Sequence, residues 1–306
     1  VSRKLWGNLF LAMAASIWGG MYVVSKVVLT RIPPVPLVWL RYVLGIAALI
    51  VVGKIWRVSW RLERRDWFLV GILGLVGYTI SIWAQFLGTA LSTAQWGAII
   101  TAATPAFMVI FAYGILKEPL TWAKMTAVVL ASLGVVMIVG LGPSTAHLRL
   151  GGIILVVAAL TWALLSVLIK KVPAHYSLVV ITTYALSVAT ILLTPFALPW
   201  FVEHAVLMRF LSPGLWWGIV YLGVISTAVA FFLWNQGLAM VEAGSGAVYF
   251  FFQPLTGTVL GWWFLRERPN SGFWLGALLI VMGVWLVISQ ERKTTKKHHS
   301  RFENKV

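Results

Sequence analysis

Apolar residues run along this chain in blocks of about 20, the length a helix needs to cross the hydrocarbon core of a bilayer, and short polar or basic segments separate them. A helix at a soluble surface repeats its apolar residues every three to four positions, and a half-buried strand every second. These blocks are apolar on every face. Ten stand out, at 6–29, 35–53, 67–87, 92–115, 121–140, 150–169, 178–199, 213–236, 243–265 and 272–289. They are continuous runs without the alternation of a membrane barrel. The pattern predicts an all-α integral membrane protein with ten transmembrane helices.

Composition narrows the classes. Sixty per cent of the 306 residues are hydrophobic, 10% are charged, and mean hydropathy is +0.92. A soluble domain is roughly 45–50% apolar and about 25% charged. This chain has too little polar surface for a soluble enzyme, a disordered protein or a nucleic-acid-binding domain. Ser2-Arg3-Lys4 with the apolar run to Leu29 has the outline of a secretory signal. The run is longer than a signal's apolar core, and it reads as a retained first span. Cysteine is absent, which excludes disulfides, thiolate nucleophiles and Cys-ligated metals. His147, His175, His204, His298 and His299 fall in predicted loops or the tail. No metal and no cofactor are expected.

Lysine and arginine number 24 against eight acids, giving a formal charge of +16. In a membrane protein the excess reads as loops held in the cytoplasm against anionic lipid. With the N-terminus inside, seventeen of the basic residues fall on the inner side and six on the outer, Arg41 lying within the second span. This predicts a multi-pass protein of the plasma (cytoplasmic) membrane with both termini cytoplasmic and a basic tail at 291–306. The expected partners are the lipid bilayer and a small-molecule substrate, with no nucleic acid; monomer and homodimer both stay open. Several of the 18 tryptophans, among them Trp6, Trp56, Trp60, Trp67, Trp122, Trp200, Trp216 and Trp274, sit near predicted span ends. Aromatic residues gather there at the membrane interface.

The two halves resemble each other. At an offset of 149, Gly74, Gly88, Ala90, Ala94, Gly97, Ala98, Pro105, Glu118 and Gly134 match Gly223, Gly237, Ala239, Ala243, Gly246, Ala247, Pro254, Glu267 and Gly283. At an offset of 144, Trp18 matches Trp162 and Lys26 matches Lys170. The expected units are 1–141 and 146–290, each of five spans. An odd number makes the second copy enter the membrane from the opposite side. Inverted repeats recur in secondary transporters.

The segments Ala90-Leu91-Ser92-Thr93-Ala94 through Pro105 to Leu116-Lys117-Glu118-Pro119-Leu120 resemble the EamA family of the drug/metabolite transporter superfamily. So do their copies, Ala239-Met240-Val241-Glu242-Ala243 through Pro254 to Leu265-Arg266-Glu267-Arg268. Arg41, after Pro33-Pro34-Val35-Pro36, resembles the family's second-span arginine. The resemblance covers nearly the whole chain. It implies two inverted five-helix halves, with spans one, three, four, six, eight and nine around a central cavity, and export or exchange of amino acids, other small metabolites or drugs.

Candidate chemistry lies in a few polar residues at depth. Tyr78, Ile82 and Gln85 share a face at helical spacing, as do Tyr249, Gln253 and Thr256. Gln85, Asn235 and Gln253 can hydrogen-bond a polar metabolite or join helices to each other. With Thr101 they form the candidate binding set, and Trp18, Trp96, Trp162 and Trp234 are candidates for an aromatic wall. Pro105 and Pro254 free the carbonyls of Thr101 and Phe250, and either shape the cavity or hinge it. Arg41 lies about six residues, roughly 9 Å, inside its span; it meets a substrate anion, snorkels outward, or holds neighbouring carbonyls. Glu118 and Glu267 either cap the following helix or form gate ion pairs, Glu118 with Lys117 or Lys124 and Glu267 with Arg266 or Arg268. Lys26 and Lys170 read as flanking anchors.

These features favour a secondary transporter of small amphipathic metabolites, an amino-acid or related metabolite exporter above all, working by alternating access. The alternative is a drug or cation efflux pump, which lacks the usual membrane carboxylate and would lean on cation–π attraction to tryptophan. A lipid-modifying enzyme lacks the acids, histidines or metal motif it needs.

Overall fold

The helices form where the apolar blocks predict them. A computed structural model describes residues 3–91, 100–101, 104–139, 146–204, 212–265, 274–286 and 289–290. In chain order they are α1 (Arg3–Leu29), α2 (Pro34–Ile55), α3 (Arg64–Leu91), α4 (Thr104–Leu116), α5 (Trp122–Val139), α6 (Ala146–Leu168), α7 (Leu178–Glu203) and α8 (Pro213–Met240). The helix α9 starts with a turn at Ala243–Gly246, tightens to 3₁₀ over Ala247–Phe251, and continues as Phe252–Leu265; α10 is Trp274–Leu286. No strand occurs among the described residues. Six of the helices are long and apolar enough to cross a membrane, and α4, α5 and α10 contribute shorter apolar helices.

Winding departs from α in corresponding places. In α3 the stretch Leu73–Ser81 is π-helical, and in α8 the stretch Tyr221–Val229 is. Thr79 Oγ1 donates to Gly74 O at 2.9 Å and Thr227 Oγ1 to Leu222 O at 2.7 Å, each reaching back five residues. That is the span of the π hydrogen bond itself. The 3₁₀ stretch in α9 lies immediately before Pro254, whose missing N–H leaves the Phe250 carbonyl without its helical partner.

One apolar core joins both halves, with Leu11, Leu37, Leu73 and Phe86 from the first and Leu165, Leu186, Leu222 and Phe231 from the second. The outer faces are apolar too: Phe68, Ile191, Phe196 and Trp217 are each more than two-thirds exposed. Water would penalise such a surface, whereas lipid matches it. Trp122 and Trp274, at helix starts, are likewise exposed, as an interfacial belt requires.

Glycine sets the helix-to-helix distance in matched pairs. A Cβ on Gly88 would lie 2.7 Å from Leu155 and 2.9 Å from Gly151 O, and one on Gly237 would lie 2.7 Å from Leu11 and 2.9 Å from Gly7 O. Gly74 backs onto Ala185 O and Val188, and Gly223 onto Arg41 O and Leu44. Each contact in one half reappears in the other at the offsets the sequence repeat gives, so α3 sits on α6 and α7 as α8 sits on α1 and α2. Gly71, by contrast, has no atom within 4 Å of a Cβ. It lies near the start of α3, where no helix covers it.

Overfilling these contacts costs about 1–3 kcal/mol or more, because backbone on the facing helix cannot yield. Gly74→Leu and Gly223→Leu are each expected to lower the thermal unfolding midpoint of the purified protein in detergent. Gly71→Leu is expected to leave it unchanged.

Candidate substrate cavity and its closure

A cavity lies among the helices. Its wall takes Trp18 and Met21 from α1, Ser81, Ile82 and Gln85 from α3, Thr101 and Thr104 beside and in α4, Trp162 from α6, Phe231 from α8, and Phe250 and Gln253 from α9. These six helices are the ones the family resemblance implied. Through Arg41, α2 enters the wall as well.

Aromatic rings give the wall its shape. Trp18 meets Trp162 edge-on at 5.2 Å between centroids, Trp234 at 5.3 Å, Phe231 at 5.7 Å and Phe250 at 6.0 Å. Each such pair adds about 0.5–1.5 kcal/mol beyond the area it buries. Two of the indoles are pinned by hydrogen bonds. Trp18 Nε1 donates to Ser226 O at 3.0 Å, and Trp234 Nε1 to Ser166 Oγ at 3.1 Å. Ser226 lies within the π turn of α8, so the irregular winding turns its carbonyl toward α1 and α2.

Arg41 is fully buried. Its Nε donates to Thr227 Oγ1 at 2.7 Å, Nη1 to Met21 Sδ at 3.4 Å, and Nη2 to Ser226 Oγ and O at 3.3 and 3.5 Å. The guanidinium also lies over Phe86 and Phe231, at 5.4 and 5.9 Å from the ring centroids. No carboxylate pairs with it among the described residues. Of the three expectations for this residue, snorkelling is not what it does, and holding a neighbouring carbonyl, that of Ser226, is. Three further wall atoms are buried without a hydrogen-bond partner among the described residues: Thr104 Oγ1, Trp162 Nε1 and Gln253 Oε1. In a medium without water each would cost about 1–3 kcal/mol unless something in the cavity meets it.

Gln85, in the wall, donates to Tyr22 Oη at 2.8 Å. Tyr78 and Asn235 stand behind the wall instead: Asn235 Nδ2 donates to Tyr78 Oη at 3.0 Å and to Thr182 Oγ1 at 2.9 Å, while Tyr42 Oη donates to Tyr78 O at 2.6 Å. This is structural fastening between α2, α3, α7 and α8. Tyr249 is buried with its ring stacked on Phe252 and does not line the cavity. Pro105 is buried in α4, and Pro254 lies one residue beyond Gln253. Trp96 and Glu267 lie outside the described residues, as does the Lys26 side chain.

A charge cluster closes one end of the bundle. The chain leaves α4 at Lys117, whose φ of 57° reverses its course. The Glu118 carboxylate then accepts from Ala243 N at 2.8 Å and Gly244 N at 3.0 Å, the first amides of α9. It was expected to cap its own next helix; it caps a helix 125 residues on. Lys124 Nζ lies 3.8 Å from Glu118 and 2.5 Å from Glu242, and Lys170 Nζ lies 3.9 Å from Glu118 and donates to Leu238 O at 2.9 Å and to Val241 O. Lys170 is therefore a cross-link, not merely a flanking anchor. The Glu118–Lys124 pair is one of the ion pairs expected for Glu118; what local sequence does not signal is the contact of this pair with α9, Glu242 and Lys170.

This is the architecture of a transport protein. The EamA-like transporter family model matches residues 5–140 and again 149–289, and the chain belongs to that family. The family is one of transporters, which is not an enzyme class, and the chain is a multi-pass membrane protein. An uncharacterized transporter of Archaeoglobus fulgidus is 27% identical over 296 residues, covering 95% of this chain and 98% of that one. An S-adenosylmethionine uptake transporter of Rickettsia prowazekii is 23% identical over 215 residues, 70% of each chain. A protein solved by crystallography has the same fold, with a TM-score of 0.75 and 20% identity, covering 94% of this chain and 98% of its own.

Removing Asn235 takes the amide donor from both Tyr78 Oη and Thr182 Oγ1 behind the wall, whereas Gln253 Oε1 has no partner to strand among the described residues. Asn235→Ala is expected to destabilise the protein by about 1–3 kcal/mol, and Gln253→Ala by less. Thermal unfolding of the two variants in detergent checks the order.

Proposed function

We propose that this protein is a secondary carrier that exports small amphipathic metabolites, foremost amino acids with large apolar side chains and related compounds, by alternating access. The cavity carries the reading: a wall of aromatic rings packed edge-on and tilted surrounds a few buried polar atoms that no described residue meets. An apolar side chain fits the rings, and a polar head group satisfies the atoms.

The reading takes the chain as ten membrane helices in two inverted repeats, 1–141 and 146–290, with both termini in the cytoplasm. Two related matches to one family model and the reciprocal glycine contacts support the repeats. In that arrangement α3 and α4 rock against α8 and α9, and Pro105 and Pro254 are the points at which α4 and α9 bend. The Glu118–Lys124–Lys170–Glu242 cluster ties the two halves together at the cytoplasmic end and must part for that end to open. A drug or cation pump draws on the same aromatic wall, but an arginine in the wall without an acid beside it repels a cation. The rickettsial relative's name adds S-adenosylmethionine to the compounds worth testing.

Counterflow in proteoliposomes tests the proposal. A panel of amino acids, related metabolites and S-adenosylmethionine, run with and without pH and sodium gradients, is expected to show exchange for at least one large apolar amino acid. Gln85→Ala and Gln253→Ala are expected to lower that exchange about tenfold, the effect of one lost hydrogen bond to a charged or polar head group, at unchanged membrane levels. Absence of counterflow across the whole panel contradicts the carrier. Normal exchange in both variants contradicts the site.

A further inference from the structure

The carrier reading leaves open which end of an amphipathic molecule the protein recognises by charge. We propose that Arg41, together with the Trp162 indole N–H, forms a subsite for a single carboxylate, so that the transported molecule is chosen by its acid group and its amine is dispensable. The inference rests on the carrier reading for the word transported, but the subsite itself rests on the cavity alone.

Four observations carry it. Arg41 lies in the wall, fully buried, with neutral partners only: a hydroxyl at 2.7 Å, a thioether at 3.4 Å, and a serine at 3.3–3.5 Å, longer than good hydrogen bonds to a charged group. A cation held at depth without an anion is costly, and an anion in the adjoining cavity removes that cost. Trp162 adds an indole N–H that lacks a partner among the described residues, and both side chains lie against the Phe231 ring, at 5.9 and 5.4 Å. Indole nitrogen only donates, so it too selects an acceptor.

The third observation concerns number. Gly223 meets the backbone of Arg41 where Gly74 meets the backbone of Ala185, so the repeat puts alanine at the place matching Arg41. The wall has one guanidinium where its symmetry allowed two. That suits a carboxylate of one charge better than a phosphate ester, which calls for several converging cations. The fourth is that no acid lines the wall among the described residues. An ammonium group would find only neutral acceptors such as Gln253 Oε1, so the amine of an amino acid adds little.

Three probes sharing one phenyl ring separate the groups: 3-phenylpropionate has the carboxylate alone, phenethylamine the ammonium alone, and L-phenylalanine both. Their affinities are read by ligand-dependent thermal shift on the purified full-length chain in detergent, without any transport step. 3-Phenylpropionate and L-phenylalanine are expected to bind comparably, each at least about tenfold tighter than phenethylamine. Arg41→Gln is expected to abolish the preference and Arg41→Lys to keep part of it. Trp162→Phe keeps the ring and removes only the N–H. It is expected to weaken both carboxylates several-fold and leave phenethylamine unchanged, which keeps the test valid if Arg41→Gln fails to fold. Phenethylamine binding as tightly as the acids, no shift with either acid at millimolar concentration, or a preference that survives both Arg41→Gln and Trp162→Phe overturns the subsite. Carboxylate binding without counterflow in proteoliposomes upholds the subsite and overturns the carrier. Phenethylamine counterflow without carboxylate binding does the reverse.

Discussion

Every polar atom inside this bundle must find a partner in the protein or in the cavity, because lipid offers none. That constraint separates frame from site. Atoms that bind one another form the frame: Trp18 to Ser226, Trp234 to Ser166, and the Tyr42–Tyr78–Asn235–Thr182 chain each fasten two or more helices. The atoms left over, in Thr104, Trp162 and Gln253, converge with the Arg41 guanidinium on one cavity. The same physics that makes them expensive in an empty bundle makes them selective toward a ligand that satisfies them.

Irregular winding is how the frame supplies those partners. A regular helix consumes its own carbonyls and offers its neighbours little. The π turn of α8 turns the Ser226 carbonyl toward Trp18 and Arg41, and the π turn of α3 gives the Tyr78 carbonyl to Tyr42. The Glu118 cluster applies the same economy at the end of the bundle. Free amides at the start of α9 accept the one available form of help, a carboxylate, and it comes from the other half of the chain. A carrier needs bonds of this kind, strong enough to hold an end shut and few enough to break together.

The spans were legible in the sequence because their length and uniform apolarity are imposed by the membrane and owe nothing to tertiary detail. Gly74, Gly88, Gly223 and Gly237 stood out in the sequence because backbone contact requires them there. The cavity was half legible. Ile82 and Gln85 line it as their helical spacing predicts, but Tyr78, on the same predicted face, is turned behind the wall. It lies in the π stretch, which winds more slowly than an α-helix, so a 3.6-residue period misplaces it. Tyr249 fails for the converse reason, since the tighter 3₁₀ stretch separates it from Gln253. Lys124 beside Glu118 was legible, but the capping of α9 by Glu118 was not, because those amides are more than a hundred residues away.

The account's central claim is that two halves enclose a polar passage reached from each side of the membrane in turn. The chain contains no cysteine, so single thiols can be placed without background. Ile82→Cys and Ala159→Cys, both in the cavity wall, are treated with a membrane-impermeant thiol reagent in right-side-out and in inverted vesicles. The account predicts modification from both faces and protection by a transported compound. Modification from neither face contradicts it.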